Sequence, residues 1–228
     1  VVKGSMHDPE YMLANEFYAF LRDSNFHISG SAIGNRVLNQ PKMIYDSLSL
    51  IFKHNGQRVL DIIKLTNEKS INLFAEGMLN LVGYKRNAFG STKSGIRAIY
   101  KNFEGKVDLS GMDLKDGSGL SRKNAVSARN FVNLLTYIHH SPLNETFRNT
   151  LAVAGKSGTL KNICRSQPAS GRMFAKSGTL SNVKAYAGFV KTITGKNLAF
   201  ALIVNNFEGS RYQLVKKMER IFNAMASY

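Results

Sequence analysis

The last third of the chain changes its hydrophobic period twice, and this limits the possible folds more than any other feature. Residues 171–180 suit a strand, as do 183–193 and 198–204, and Thr194-Gly195-Lys196-Asn197 forms a hairpin turn between the last two. From Arg211 the spacing lengthens to threes and fours, and a helix presents Leu214, Val215, Met218, Ile221, Phe222 and Met225 on one side. Three successive strands followed by one amphipathic helix predict an antiparallel sheet with a helix laid across it.

The upstream part reads mainly as helix. Asp8-Pro9-Glu10 supplies an N-cap, a first helical position and an acidic first turn. Tyr11, Leu13, Phe17, Phe20 and Leu21 form a rough apolar face on that helix, which ends before His27. A strand is expected over 43–52, a turn at His54-Asn55-Gly56 and a short helix over 59–65. The clearest helix starts near Thr66-Asn67, repeats Ile71, Phe74, Ala75, Met78, Leu79 and Val82 on one face, and takes Gly83 as its stop. Two further helices, over 91–100 and 124–139, flank a glycine-rich stretch at 111–121 that must be loop. The fold class is therefore α+β, an antiparallel sheet flanked by helices.

Several function classes fall away on composition. A single cysteine, Cys164, allows no internal disulfide and no metal cluster, and reads as a small, partly buried hydrophobe. His139 and His140 are neighbours, so on a helix they point about 100° apart and cannot chelate one ion. They suit a helix C-terminus, where a cation is mildly favoured. No metal or cofactor is expected. No apolar run reaches the roughly 18 residues of a membrane span. The net charge is +16, and residues 151–228 carry twelve Lys/Arg against two acidic residues. Such a surface attracts any polyanion. No zinc spacing, stacking-aromatic pattern or recognition helix accompanies it, so nucleic acid is not the expected partner.

Two short segments carry the chemistry. One is Lys69-Ser70-Ile71-Asn72, at the start of the clearest helix, where Ser70 alone reads as a polar residue of a first helical turn. The other is Lys176-Ser177-Gly178-Thr179, inside a strand. In this order they resemble the S-x-N and K-T-G segments of penicillin-binding proteins and serine β-lactamases. The likeness extends to Asp116-Gly117-Ser118-Gly119-Leu120-Ser121 with Asn124, to 151–160, to Ala187-Gly188-Phe189-Val190 and to Asn205-Asn206-Phe207. The chain is thus identified as similar to the D-alanyl-D-alanine carboxypeptidase and endopeptidase branch of the penicillin-binding proteins. By that resemblance residues 1–228 are the C-terminal portion of a single transpeptidase-type catalytic domain, incomplete at its N-terminus.

What the resemblance implies is an acyl-enzyme reaction on peptidoglycan stem peptides, with β-lactams as acylating inhibitors. Ser70 then relays a proton to the leaving D-alanine amine, and Asn72 hydrogen-bonds the substrate amide. Lys176 faces the substrate's terminal carboxylate and Ser70, and Ser177 adds a hydroxyl to that carboxylate. Gly178 lets an extended peptide lie against the strand, and the N–H of Thr179 serves as an oxyanion donor. The implied place of work is the bacterial periplasm or cell envelope.

The family's S-x-x-K nucleophile segment does not occur upstream of Ser70. Ser181-Asn182-Val183-Lys184 matches its letters but follows the K-S-G segment, in the turn into the next strand, and is assigned to chance. The nucleophile is therefore expected in an N-terminal part of the same protein, outside these residues. A non-catalytic peptide-binding remnant of the same fold is the alternative. This portion alone is expected to fold poorly, with a sheet edge and a core face uncovered. A second copy, Lys156-Ser157-Gly158-Thr159, repeats the strand-borne motif letter for letter and is read as a structural loop.

Overall fold

The computed structural model of the chain describes residues 8–34, 49 and 52–228, in two units, Val1–Asn55 and Gly56–Tyr228. The strand expected over 43–52 lies outside the described residues but for Ser49 and Phe52.

In the first unit α1 spans Pro9–Asp23, and the Asp8 carboxylate caps it by accepting the Tyr11 N–H at 3.0 Å. It closes in a Schellman motif. Asn25 turns left-handed at φ 61, its N–H reaches the Arg22 carbonyl, and the Phe26 N–H reaches that of Leu21.

The second unit opens with α2 (Val59–Lys69) and α3 (Asn72–Asn87), joined through Ser70 and Ile71. The single helix expected over 66–82 is therefore two helices, broken where Ser70 takes a left-handed backbone at φ 57. Gly83 does not stop α3, which runs on to Asn87. It is instead a point of close packing against α4 (Thr92–Phe103): a Cβ on Gly83 would fall on the Ser94 hydroxyl and 2.7 Å from the Gly95 nitrogen.

Serine hydroxyls start three helices alike. Ser91 opens α4, Ser127 opens α5 (Ala128–His139) and Ser210 opens α7 (Arg211–Ser227), each in a reciprocal capping box. The helix expected from Asn124 begins four residues later because the Asn124 amide is used in the preceding loop. There it accepts the Lys115 N–H at 2.7 Å and donates to Asp116 at 2.9 Å. His139 ends α5 and His140 is its cap. The short α6 (Asn144–Arg148) follows.

Among the described residues the sheet has four strands in sequence order, all antiparallel: β1 (Ala152–Val153), β2 (Met173–Leu180), β3 (Val183–Lys191) and β4 (Asn197–Asn205). Helix α7 covers one face, where Met173, Ala175, Tyr186, Val190 and Phe200 meet Met218 and Phe222. The Tyr186 and Phe222 rings pack edge to face at 5.2 Å. Leu135 of α5, Leu151 and Phe189 form a smaller core on the opposite face, against Phe147 and Phe174. Arg148 caps it, its guanidinium 4.8 Å from the Phe174 ring centre and bonded to Asn197.

One expected core position of α7 is occupied differently. Ile221 is 47% exposed, while Glu219 is buried in that row. The Glu219 carboxylate is satisfied there by the Cys164 N–H at 3.2 Å and the Lys216 ammonium at 2.8 Å. Cys164 is fully buried, and burial, then Glu219, push its thiol up to about 12, so it packs as a hydrophobe and is inert.

Candidate active site

The site lies where α2 ends, α3 begins and β2 passes them. The Asn67 amide of α2 donates to the Thr150 hydroxyl at 2.9 Å, and Thr150 donates to the Phe147 carbonyl at 2.6 Å. This ties the last turn of α2 to the segment that leads into β1. Ser70 then caps α2 in the left-handed region, a conformation that costs a non-glycine residue about 1 kcal/mol. Strain of this kind collects at functional positions. Asn72, exposed, is the first residue of α3.

Lys176 spans the gap between the two segments. Its Nζ donates to Ser70 Oγ at 2.9 Å, across 106 residues of sequence, and to the carbonyl of the adjacent Ser177 at 2.8 Å. Burial lowers the pKa of this ammonium, and no carboxylate forms an ion pair with it among the described residues. Ser177 Oγ donates to Thr159 Oγ1 at 2.9 Å. Among the described residues a Cβ on Gly178 would meet only Ala185 Cβ, at 3.7 Å, which leaves the space beside the strand open to them. β1 pairs with β2 only at Phe174 and Ala175, and beyond them the β2 edge away from β3 carries no strand among the described residues. The arrangement offers a desolvated cation, a hydroxyl donor and a free strand edge side by side. An extended peptide with an anionic end fits such a surface.

The stretch 111–121 is a loop fastened onto α3. The Glu76 carboxylate, one turn beyond Asn72, accepts the N–H groups of Gly117 at 3.1 Å and Ser118 at 2.9 Å. Asp116 accepts those of Gly119 at 2.9 Å and Ser121 at 2.6 Å. Burial raises the Asp116 pKa, but the Asn124 amide, then the Ser121 and Gly119 N–H groups, outweigh it and hold the carboxyl below its usual value.

Against solved structures, the chain superposes on penicillin-binding protein 4 (dacB) of Haemophilus influenzae, in its complex with a β-lactam, with a TM-score of 0.85. That match has 23% identity and covers 99% of this chain and 53% of the other. A class A β-lactamase from Bacteroides cellulosilyticus shares the fold at a TM-score of 0.56 and 17% identity, over 75% of this chain and 64% of its own. The D-alanyl-D-alanine carboxypeptidase of Actinomadura sp. (strain R39) is 33% identical over 171 residues, 72% of this chain and 32% of that protein. Residues 5–225 match the D-Ala-D-Ala carboxypeptidase 3 (S13) family. The chain belongs to that family. It spans only part of the length of the S13 relatives it matches, 32% of the Actinomadura enzyme.

Two contacts at the candidate site were invisible in the linear sequence. The first is Thr159, from the duplicate K-S-G-T, against Ser177. The second is Lys184 of β3. The segment Ser181-Asn182-Val183-Lys184 has Ser181 in the turn between β2 and β3, while the Lys184 ammonium binds Thr179 Oγ1 at 2.7 Å over the Tyr186 ring. Lys184 is 8% exposed, and burial, then Arg211 and Lys176, push its pKa down to about 8 from 10.5. Below pH 8 folded and unfolded chains both hold the proton, and the buried charge carries its full cost. Between pH 8 and 10.5 the folded chain has released a proton that the unfolded chain keeps, so stability rises with pH. Lys184→Met is therefore expected to raise Tm at pH 7 by several degrees, at roughly 2–4 °C per kcal/mol for a chain of this size. The gain should vanish near pH 10.5. Thermal melts of both forms across that range test this, and equal Tm values at pH 7 would show that the bond to Thr179 fully offsets the desolvation.

Proposed function

We propose that this chain is the C-terminal part of a serine-type D-Ala-D-Ala carboxypeptidase or endopeptidase that cleaves peptidoglycan stem peptides through an acyl-enzyme. The observation that carries the reading is the 2.9 Å bond between Lys176 Nζ and Ser70 Oγ. It joins the S-x-N serine to the K-S-G lysine, as a proton relay to a leaving amine requires. The substrate's terminal carboxylate is assigned to Lys176 and Ser177, its extended backbone to the open β2 edge beside Gly178, and its developing oxyanion to the Thr179 N–H. Asn72 is assigned to the substrate amide.

The nucleophile is assigned to an N-terminal part of the same protein. Lys184 supports this, since its ammonium is bound to Thr179 and does not activate Ser181. β-Lactams that acylate the complete protein and stem peptides in the bacterial periplasm or envelope complete the reading. The absence of an S-x-x-K before Ser70 in these 228 residues favours one alternative, a non-catalytic module that grips the same peptides.

Intact-protein mass after incubation with a penicillin decides between them, on this chain and on the full gene product. An adduct on the full product only is the expected result. An adduct on this chain would return Ser70 or Ser181 as nucleophile, and no adduct on either would leave the binding module.

A further inference from the structure

The duplicated K-S-G-T forms a tight turn set against the site. Ser157 Oγ accepts the Val153 N–H at 3.0 Å, and the Gly155 N–H reaches the Leu160 carbonyl at 3.0 Å. Residues Gly158–Leu160 make one 3-10 turn, pinned by the fully buried Leu160. Gly158, at φ +55, leaves no room for a side chain. A Cβ there would lie 2.6 Å from the Glu68 carbonyl and 2.9 Å from Ala152 Cβ. The turn is thus wedged between β1 and the last turn of α2, two residues before Ser70. Its exposed hydroxyl, Thr159 Oγ1, is held 2.9 Å from Ser177 Oγ.

We propose that Thr159 is a positioning residue that makes Ser177 selective for a terminal carboxylate, an assignment that rests on the function proposed above. A hydroxyl carries one proton and two lone pairs. In the free protein Ser177 gives its proton to Thr159. To bind a carboxylate, Ser177 turns that proton outward, and its oxygen then needs a new donor. Thr159 supplies it by rotating its own hydroxyl, and no other side chain bonds Thr159 Oγ1 among the described residues. The result is a directed chain, Thr159 to Ser177 to carboxylate. Each bond polarises the next, and the last is charge-assisted. A neutral carboxamide end draws little on the chain, so Thr159 adds affinity for the anion and almost none for its amide.

The test titrates the full gene product with an N-acyl D-Ala-D-Ala peptide whose scissile amide is replaced by an E-alkene, and with the same ligand ending in a carboxamide. Wild type should prefer the carboxylate. Thr159→Val keeps the shape, loses the hydroxyl and should weaken the carboxylate ligand about tenfold while leaving the carboxamide within about twofold. Thr159→Ser should restore wild-type binding. A wild type without preference for the carboxylate would sink the proposed function and this inference with it. A preference left intact by Thr159→Val, or an equal loss on both ligands, would overturn the inference alone.

Discussion

Replacing Lys176 by methionine is expected to slow penicillin acylation of the full gene product by about a thousandfold, the effect of removing a preorganised donor from a desolvated site. In the proposed reaction the ammonium has two tasks at once: it faces the ligand carboxylate, and it donates to Ser70 Oγ, the bond seen at 2.9 Å. Methionine keeps an unbranched apolar stem and removes the charge and the donors. Because Lys176 and Ser70 act as a bonded pair, the double variant Lys176→Met with Ser70→Ala should be little worse than either single one. Arginine should rescue weakly, since its planar fork cannot place one donor where the ammonium sits. Acylation rates followed by intact mass check all three, and a Lys176→Met rate within threefold of wild type would remove the lysine from the mechanism.

The largest stability effect should come from Gly188→Ala, with a loss of about 3 kcal/mol. Gly188 pairs with Ala175 across β2 and β3. An added Cβ would fall on the Phe174 carbonyl, 2.6 Å from Ala175 Cα and 2.9 Å from Ala175 Cβ. Packed cores lie on both faces of the sheet, so neither strand can bow away. Tm should drop by roughly 6–12 °C. Gly178→Ala is the control, because among the described residues its new methyl meets only Ala185 Cβ at 3.7 Å. That variant should melt like wild type and show its defect in ligand binding. A Gly188→Ala protein that also melts like wild type would mean the strands separate more easily than their packing implies.

How much of this was legible in the chain depends on range. The strands and α7 could be read because their periods are local, and the capped start of α1 because Asp8-Pro9 acts within one turn. The break at Ser70 could not. Apolar residues keep their helical spacing straight through it, and a serine in a left-handed backbone leaves no mark in the letters. Gly83 looked like a helix stop because glycine serves both ends and contacts, and only the partner helix tells which. Glu219 was passed over for Ile221 because a buried carboxylate needs donors, and one of them, the Cys164 N–H, lies 55 residues away. At the site, K-S-G on a strand was visible, whereas the bond from Ser177 to Thr159 depends on how β2 lies beside an earlier turn.

The left-handed Ser70 also bears on how such a chain can drift. Glycine there would relax the backbone and stabilise the junction of α2 and α3 by about 1 kcal/mol, while deleting the hydroxyl that meets Lys176. Selection for robustness and selection for chemistry therefore pull this one codon in opposite directions. A lineage released from its reaction should lose the serine early, and a lineage that retains it is still bearing the strain for a reason.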